Sequence, residues 1–267
     1  MTTQAETFAA LHAGPDILVL PNAWDAASAA IMEDAGAKAV ATSSAAVAWA
    51  YGYPDGDTLP LDKLLATVST ISRVVSVPVT ADIEGGYTDD LGQLADNIKA
   101  VIGAGAVGIN LEDGTRDPDL HARKIEVARK TADATGVPLF INARIDILLK
   151  RLLAGDEAEA EIVRRAGLYT AAGANGIFAP AAADSALIGR LAAAIDAPLN
   201  IMLWSGLAPA AELQALGVRR VSSGGSPFRG AYAKLASSVK AFLADGSPAA
   251  FANDPDALGN LNARFGS

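Results

Sequence analysis

Residues 78–87 read PVTADIEGGY, an apolar run that ends by placing Asp82 and Glu84 two residues apart. Alternate residues of a strand share a face, so both carboxylates point the same way. Like charges that close repel unless something positive lies between them. Two more apolar runs end in charge: GINLEDG (108–114) supplies Glu112 and Asp113, and NARID (142–146) supplies Arg144 and Asp146. Oxygen donors with room left for water suit Mg2+ or Mn2+. The residues therefore predict a metal held by Asp82, Glu84 and Glu112. Asp113 and Asp146 are expected to cap neighbouring helices or to pair with Arg144. Arg144 is the one cation among these run ends, and its planar fork can take a carboxylate through two hydrogen bonds.

Composition removes several other chemistries. The chain has no cysteine, so thiol nucleophiles, thiolate zinc sites and disulfides are excluded. His12 and His121 are the only histidines, too few for a histidine-rich metal site. No lysine falls at the end of an apolar run, which argues against a Schiff-base aldolase. Ser43 and Ser44 have no histidine nearby for a triad, but their backbone N–H groups offer oxyanion donors. A net charge of −9 argues against nucleic acid or an anionic membrane as partner. The start of the chain lacks the basic, apolar pattern of a signal peptide, and no uncharged run reaches the ~20 residues that span a bilayer. A cytoplasmic protein is expected.

The elements that must hold these residues alternate along the whole chain. Apolar runs lie near 17–21, 39–44, 77–83, 107–112, 138–144, 175–180, 198–202 and 218–223. Helical patterns lie near 25–35, 61–75, 90–103, 120–134, 157–172, 184–195 and 208–216, and a last one runs from 227 to 243. Pro78, Pro138 and Pro198 open alternate strands at a constant spacing of 60 residues, while Gly36, Gly105, Gly173 and Gly217 precede the others. This alternation implies parallel pairing. It predicts a (β/α)8 TIM barrel over 1–245, the catalytic domain, followed by a C-terminal extension over 246–267; a doubly wound open sheet is the alternative. Barrels of this kind carry their chemistry at the C-terminal ends of the strands. Trp24 (PNAWD) and Asn200 (NIMLW) sit at two such ends and are expected to touch substrate, as is Asp82. YGYPDGD (51–57) is a turn in the second strand-to-helix loop. SSGGSPFRG (222–230) is a glycine-rich loop of the type that binds phosphate before a helix.

Together PNAWDAASAAIMEDAGAKAVATSSAAVA (21–48), YGYPDGD, TADIEGGY, GINLEDG and NARID resemble the isocitrate lyase/phosphoenolpyruvate mutase superfamily over roughly residues 10–235. The resemblance implies a (β/α)8 barrel, a homotetramer built as a dimer of dimers that exchange the last helix, and Mg2+-dependent cleavage or formation of C–C or P–C bonds beside a 2-oxo acid. It further implies that Asp82 is the direct metal ligand, that Glu84 and Glu112 complete the metal site, and that Arg144 binds the substrate carboxylate. By the same resemblance Ser44, Ala45 and Ala46 hold the 2-oxo acid, and Asp55 lies near metal and substrate as a catalytic candidate. The loop GTRDPDLHARK (114–124) departs from the superfamily's lyases. It is short and lacks their Lys-Lys-Cys-Gly-His or Lys-Arg-Cys-Gly-His motif, and Arg116 and His121 are its only chemical candidates. The expected activity is a carbon–carbon lyase or decarboxylase acting on a small 2-oxo or 2-hydroxy di-acid, oxaloacetate-like, through an enolate. A phosphonopyruvate-type enzyme, a weak methylisocitrate or isocitrate lyase and a 2-oxo acid binder with little turnover are the alternatives.

Overall fold

The computed structural model describes residues 3–251 and 258–266. Its strands are β1 (Leu18–Leu20), β2 (Asn22–Ala23), β3 (Val40–Thr42), β4 (Val79–Asp82), β5 (Gly108–Glu112), β6 (Phe140–Arg144), β7 (Gly176–Phe178), β8 (Leu199–Met202) and β9 (Arg220–Ser222). The helices are α1 (Gln4–Ala13), α2 (Ala26–Asp34), α3 (Ser44–Ala50), α4 (Leu61–Val74), α5 (Leu91–Gly103), α6 (Pro118–Thr135), α7 (Gly155–Ala171), α8 (Ser185–Ala194), α9 (Ala210–Ala215), α10 (Ser226–Asp245) and α11 (Leu261–Phe265). All strand pairs are parallel, in the order β1-β9-β8-β7-β6-β5-β4-β3-β2. Pro21 separates β1 from β2. The first segment pairs with β9 and the second with β3, so the two act as one barrel strand and close an eight-position (β/α)8 barrel. The chain has the expected barrel rather than an open sheet.

Local chemistry explains the rhythm. Every residue of β4 is buried, as is every residue of β5, as strands covered on both faces require. Asp25, Asp90, Asp117 and Asp184 cap α2, α5, α6 and α8 by accepting backbone N–H bonds. Each strand-to-helix loop of that group therefore ends on a short acid that fixes where the helix begins. The eight expected strands are all present. Three helices were not expected: α1, α3 and the short α11 of the extension. α1 closes the N-terminal end of the barrel through Phe8, packed with Leu18, Leu20 and Phe140. α3 occupies SAAVAWA, which carries almost no polar pattern because four of its seven residues are buried. Of the expected extension, 252–257 and 267 lie outside the described residues; the short 3-10 helix Pro248–Phe251 and α11 belong to its described parts.

Under the barrel, His12 stacks on Phe140 at 4.0 Å and its Nδ1–H donates to the Phe8 carbonyl at 2.8 Å. Burial, with the charge of Arg220 beyond it, pushes His12 down to about 3. A folded pKa below the unfolded value near 6.5 means that the unfolded chain takes up the proton first as pH falls. Stability is therefore complete above about pH 6.5 and is lost progressively below it. His12→Phe is expected to shrink the fall in Tm between about pH 7 and about pH 5, measured by thermal unfolding at both.

Candidate active site

The C-terminal ends of the strands converge on a cavity of about 670 Å3, whose lining includes Ser44, Ala45, Asp55, Asp82, Asn110 and Arg144. Asp82, the last residue of β4, has its backbone N–H bonded to Thr42 Oγ1 at 2.8 Å. Its Oδ2 accepts from Ser44 Oγ at 3.0 Å and from Ser44 N–H at 3.3 Å. Ser43 caps α3 by accepting from Ala46 N–H at 3.4 Å. Of the three amides at the start of α3, Ser44's and Ala46's are thus engaged. The Ala45 N–H has no acceptor among the described residues, and Ala45 lines the cavity.

Arg144, at the end of β6, lies between two acids. One terminal nitrogen meets Glu112 at 2.7 Å, and the fork binds Asp146 through Nε at 2.6 Å and the other terminal nitrogen at 3.1 Å. The Phe178 ring lies 5.8 Å from the guanidinium carbon. A guanidinium has five N–H donors; three are committed here, and one on each terminal nitrogen is left for a ligand. Asp146 is fully buried and holds the fork in place. Asp113 accepts from Arg165 at 2.7 Å, from the Tyr169 hydroxyl at 2.9 Å and from Asp146 N–H at 2.9 Å. It ties β5 to β6 and α7 from outside the cavity.

Glu84 takes a different course from Asp82. The chain turns there with a left-handed φ of 50°, a costly conformation for a residue with a side chain. Glu84 Oε2 accepts from Asp57 N–H, and Asp57 Oδ1 accepts from Gly85 N–H at 3.2 Å. Arg116 binds Asp57 at 2.8 Å and Asp89 at 2.7 Å, and the buried Lys124 binds Asp89 at 2.7 Å. Three loops are fastened together in this way: the one after α3, the one after β4, and the short 114–117 turn. The Asp57–Arg116 partnership was not read from the sequence, because 59 residues separate the two. Its one local signal is Gly85, where a Cβ would collide with the Arg116 guanidinium. Gly85→Ala is expected to displace Arg116 from both acids, lowering stability by about 1 kcal/mol and exposing 114–121 to protease; thermal unfolding and limited proteolysis would show it.

The other expected site residues are placed as follows. Ala46, Glu84 and Glu112 are buried around the cavity rather than lining it. Trp24 lies away from it, packed edge-on against Phe228 at 5.3 Å and Tyr232 at 6.4 Å, because it turns out from β2 toward α10 just before the Asp25 cap. Asn200 lies below the floor, 1% exposed, with Nδ2 bonded to Ser222 Oγ at 3.4 Å. His121 is fully buried against Tyr169, ring centroids 4.7 Å apart, and burial pushes it down to about 3, so it is a neutral packing group.

The acids carry more negative charge than the protein offsets. Burial raises Asp82 against the pull of Arg144, with Asp55 adding to the rise. Burial, then Asp82, Asp57 and Asp55, push Glu84 up to about 7 against the Asp57 amide. Glu112 is raised by burial and by Asp146, Asp82 and Glu84, against its ion pair with Arg144. Among the described residues no three acids stand as a finished metal cage, since Glu112 is turned to Arg144 and Glu84 to Asp57. The donor chemistry nonetheless fits a hard divalent cation: all-oxygen, buried, and short of positive charge.

The sequence profile of the family described as phosphoenolpyruvate phosphomutase matches residues 8–243. The chain belongs to this phosphoenolpyruvate phosphomutase family. Its wider setting is the isocitrate lyase/phosphoenolpyruvate mutase superfamily of lyases and mutases. An uncharacterized protein of Mycobacterium tuberculosis is 35% identical, with 83% of each chain covered. An oxaloacetate decarboxylase of Chromohalobacter salexigens is 28% identical, with 81% of this chain and 77% of that one covered. Among solved structures, a candidate phosphonomutase of Burkholderia cenocepacia J2315 is 40% identical with a TM-score of 0.85, covering 89% of this chain and 99% of that one. Like other (β/α)8 barrels, this phosphoenolpyruvate phosphomutase family member holds its cavity at the C-terminal ends of the strands. None of its helices, among the described residues, is long and apolar enough to cross a membrane.

Proposed function

We propose that the protein is a Mg2+-dependent carbon–carbon lyase that decarboxylates a small, oxaloacetate-like 2-oxo di-acid through an enolate. The observation that carries this reading is Arg144: a rigid, buried fork with two N–H donors free, sharing one cavity with Asp82. The two donors bind the substrate carboxylate beside the 2-oxo group. Ser44 keeps the Asp82 carboxylate in place, and the Ala45 N–H meets the 2-oxo oxygen as it gains negative charge. Asp82, Glu84 and Glu112 would hold the divalent cation, which supplies Lewis-acid stabilisation of that oxygen. When CO2 leaves, the bonding pair stays on the substrate as the enolate, and no protein base is needed. A proton delivered to the enolate carbon completes the 2-oxo acid product. Asp55 is the acid at the cavity wall nearest in role to a proton donor.

This reading suits a chain whose 114–117 turn is short and fastened by Arg116. The similarity to an oxaloacetate decarboxylase supports it, and the similarity to a candidate phosphonomutase supports a P–C reading as the second. A panel of oxaloacetate, methylisocitrate, isocitrate and phosphonopyruvate, each with and without Mg2+, separates them. Mg2+-dependent turnover of oxaloacetate is expected. Turnover of phosphonopyruvate in its place selects the P–C enzyme; no turnover, with tight binding of oxalate, selects a binder.

We further propose a homo-oligomer in which α10 is exchanged between subunits. Only Ser238 of its 20 residues is buried, while Leu235, Val239, Phe242 and Leu243 are exposed, and so is Val19 on the outer face of β1. An apolar helix and an uncovered strand on one chain are what an exchanged partner helix would cover.

A further inference from the structure

Beneath the cavity the barrel interior is polar, and a guanidinium lies within it. Arg220 of β9 is 1% exposed, a charge that proteins seldom bury without a partner. Among the described residues no carboxylate forms an ion pair with it, and its Nε and one terminal nitrogen meet no acceptor. Its one bond crosses the barrel. The other terminal nitrogen donates to Asn110 Oδ1 at 3.2 Å, on β5. With β1 and β2 counted as one strand, β5 and β9 are opposite walls of the barrel. Asn142 of β6 donates to the same Asn110 oxygen at 2.9 Å. Arg219, the preceding residue, faces outward and donates to the Pro15 carbonyl.

Two donors on one oxygen decide which way an amide faces. Asn110 commits Oδ1 to Arg220 and Asn142, so Nδ2 is the end left over. Asn110 lines the cavity, and its Nδ2 has no acceptor among the described residues. We propose that Asn110 is a specificity residue that donates its amide N–H to a carboxylate or keto oxygen of the bound oxo acid, and that Arg220 is the positioning residue that holds it so. The proposal rests on the oxo-acid reading above and adds to Arg144 a second anchor on the cavity floor.

Calorimetric titration of oxalate in Mg2+, beside thermal unfolding of each variant, tests it. Asn110→Ala is expected to bind oxalate about tenfold more weakly, the value of one hydrogen bond to a charged group. Asn110→Asp sets a carboxylate against Arg220 and is expected to keep or raise Tm, yet to bind at least about tenfold more weakly because the donor is gone. Arg220→Met should match the loss of Asn110→Ala, and the double variant should be no weaker than either single one. Asn110 variants that bind like the wild type would overturn the proposal. Fully additive losses in the double variant would overturn the positioning role of Arg220. Should Arg220→Met not fold, the Asn110 pair decides alone. A wild type that binds neither oxalate nor pyruvate removes the functional reading itself, and with it this one.

Discussion

Asp82→Asn is expected to abolish turnover while raising thermal stability. The carboxylate is buried at the cavity wall, and burial raises its pKa above the ordinary 3.8. The folded group thus holds its proton to higher pH than the unfolded one, so stability falls as pH rises through the unfolded value. At neutral pH the charge is a cost to the fold. Asparagine removes it and keeps an oxygen for the two bonds from Ser44, at 3.0 and 3.3 Å. The same change deletes the central oxygen donor of the candidate metal site. Added Mg2+ should therefore raise the Tm of the wild type, by binding the folded state alone, and leave Asp82→Asn unmoved. Turnover should fall by a factor of about 1000 or more, in line with the loss of a group that stabilises developing charge. A Tm below that of the wild type would contradict the electrostatic account, and retained Mg2+-dependent turnover would contradict the site.

Arg144→Met is expected to damage both fold and function. It strips the cation from Glu112, at 2.7 Å, and from the fully buried Asp146, at 2.6 Å. Breaking a buried pair by removing one partner costs about 3–5 kcal/mol, because the remaining charge stays buried and unpaired. For a domain of this size that is a fall in Tm of roughly 10 °C. Arg144→Lys keeps the charge but not the fork, so it should fold better than Arg144→Met and still bind its substrate roughly 10- to 100-fold more weakly. Differential scanning calorimetry and steady-state kinetics would show the split. An unchanged KM in Arg144→Lys would count against carboxylate recognition by the fork.

The barrel was legible because its strands are short apolar runs, seven of the eight entered by proline or glycine, that alternate with helical patterns along the chain. What escaped was buried all round. α3 reads as a continuation of β3, since Ser44–Ala50 is nearly all alanine and valine and offers no polar face to mark a helix. The break at Pro21 is likewise silent, because a proline at a strand end looks the same whether the strand stops or changes partner. Among the site candidates, Asp82 and Arg144 were legible as charges ending apolar strands, and both line the cavity. The bond of Arg116 to Asp57 was not, because it joins two loops far apart in sequence. Arg220 was hidden by its neighbour. Two arginines opening a strand read as surface, and only the alternation of strand faces sends Arg219 out and Arg220 in.

Pyruvate release from oxaloacetate, followed at one fixed Mg2+ concentration for the wild type and for Asp82→Asn, tests the central claim most directly. The variant corrects for decarboxylation that Mg2+ drives in free solution. The wild type should release pyruvate far faster than the variant, and removing Mg2+ should abolish the difference. Equal rates for the two proteins would contradict the claim.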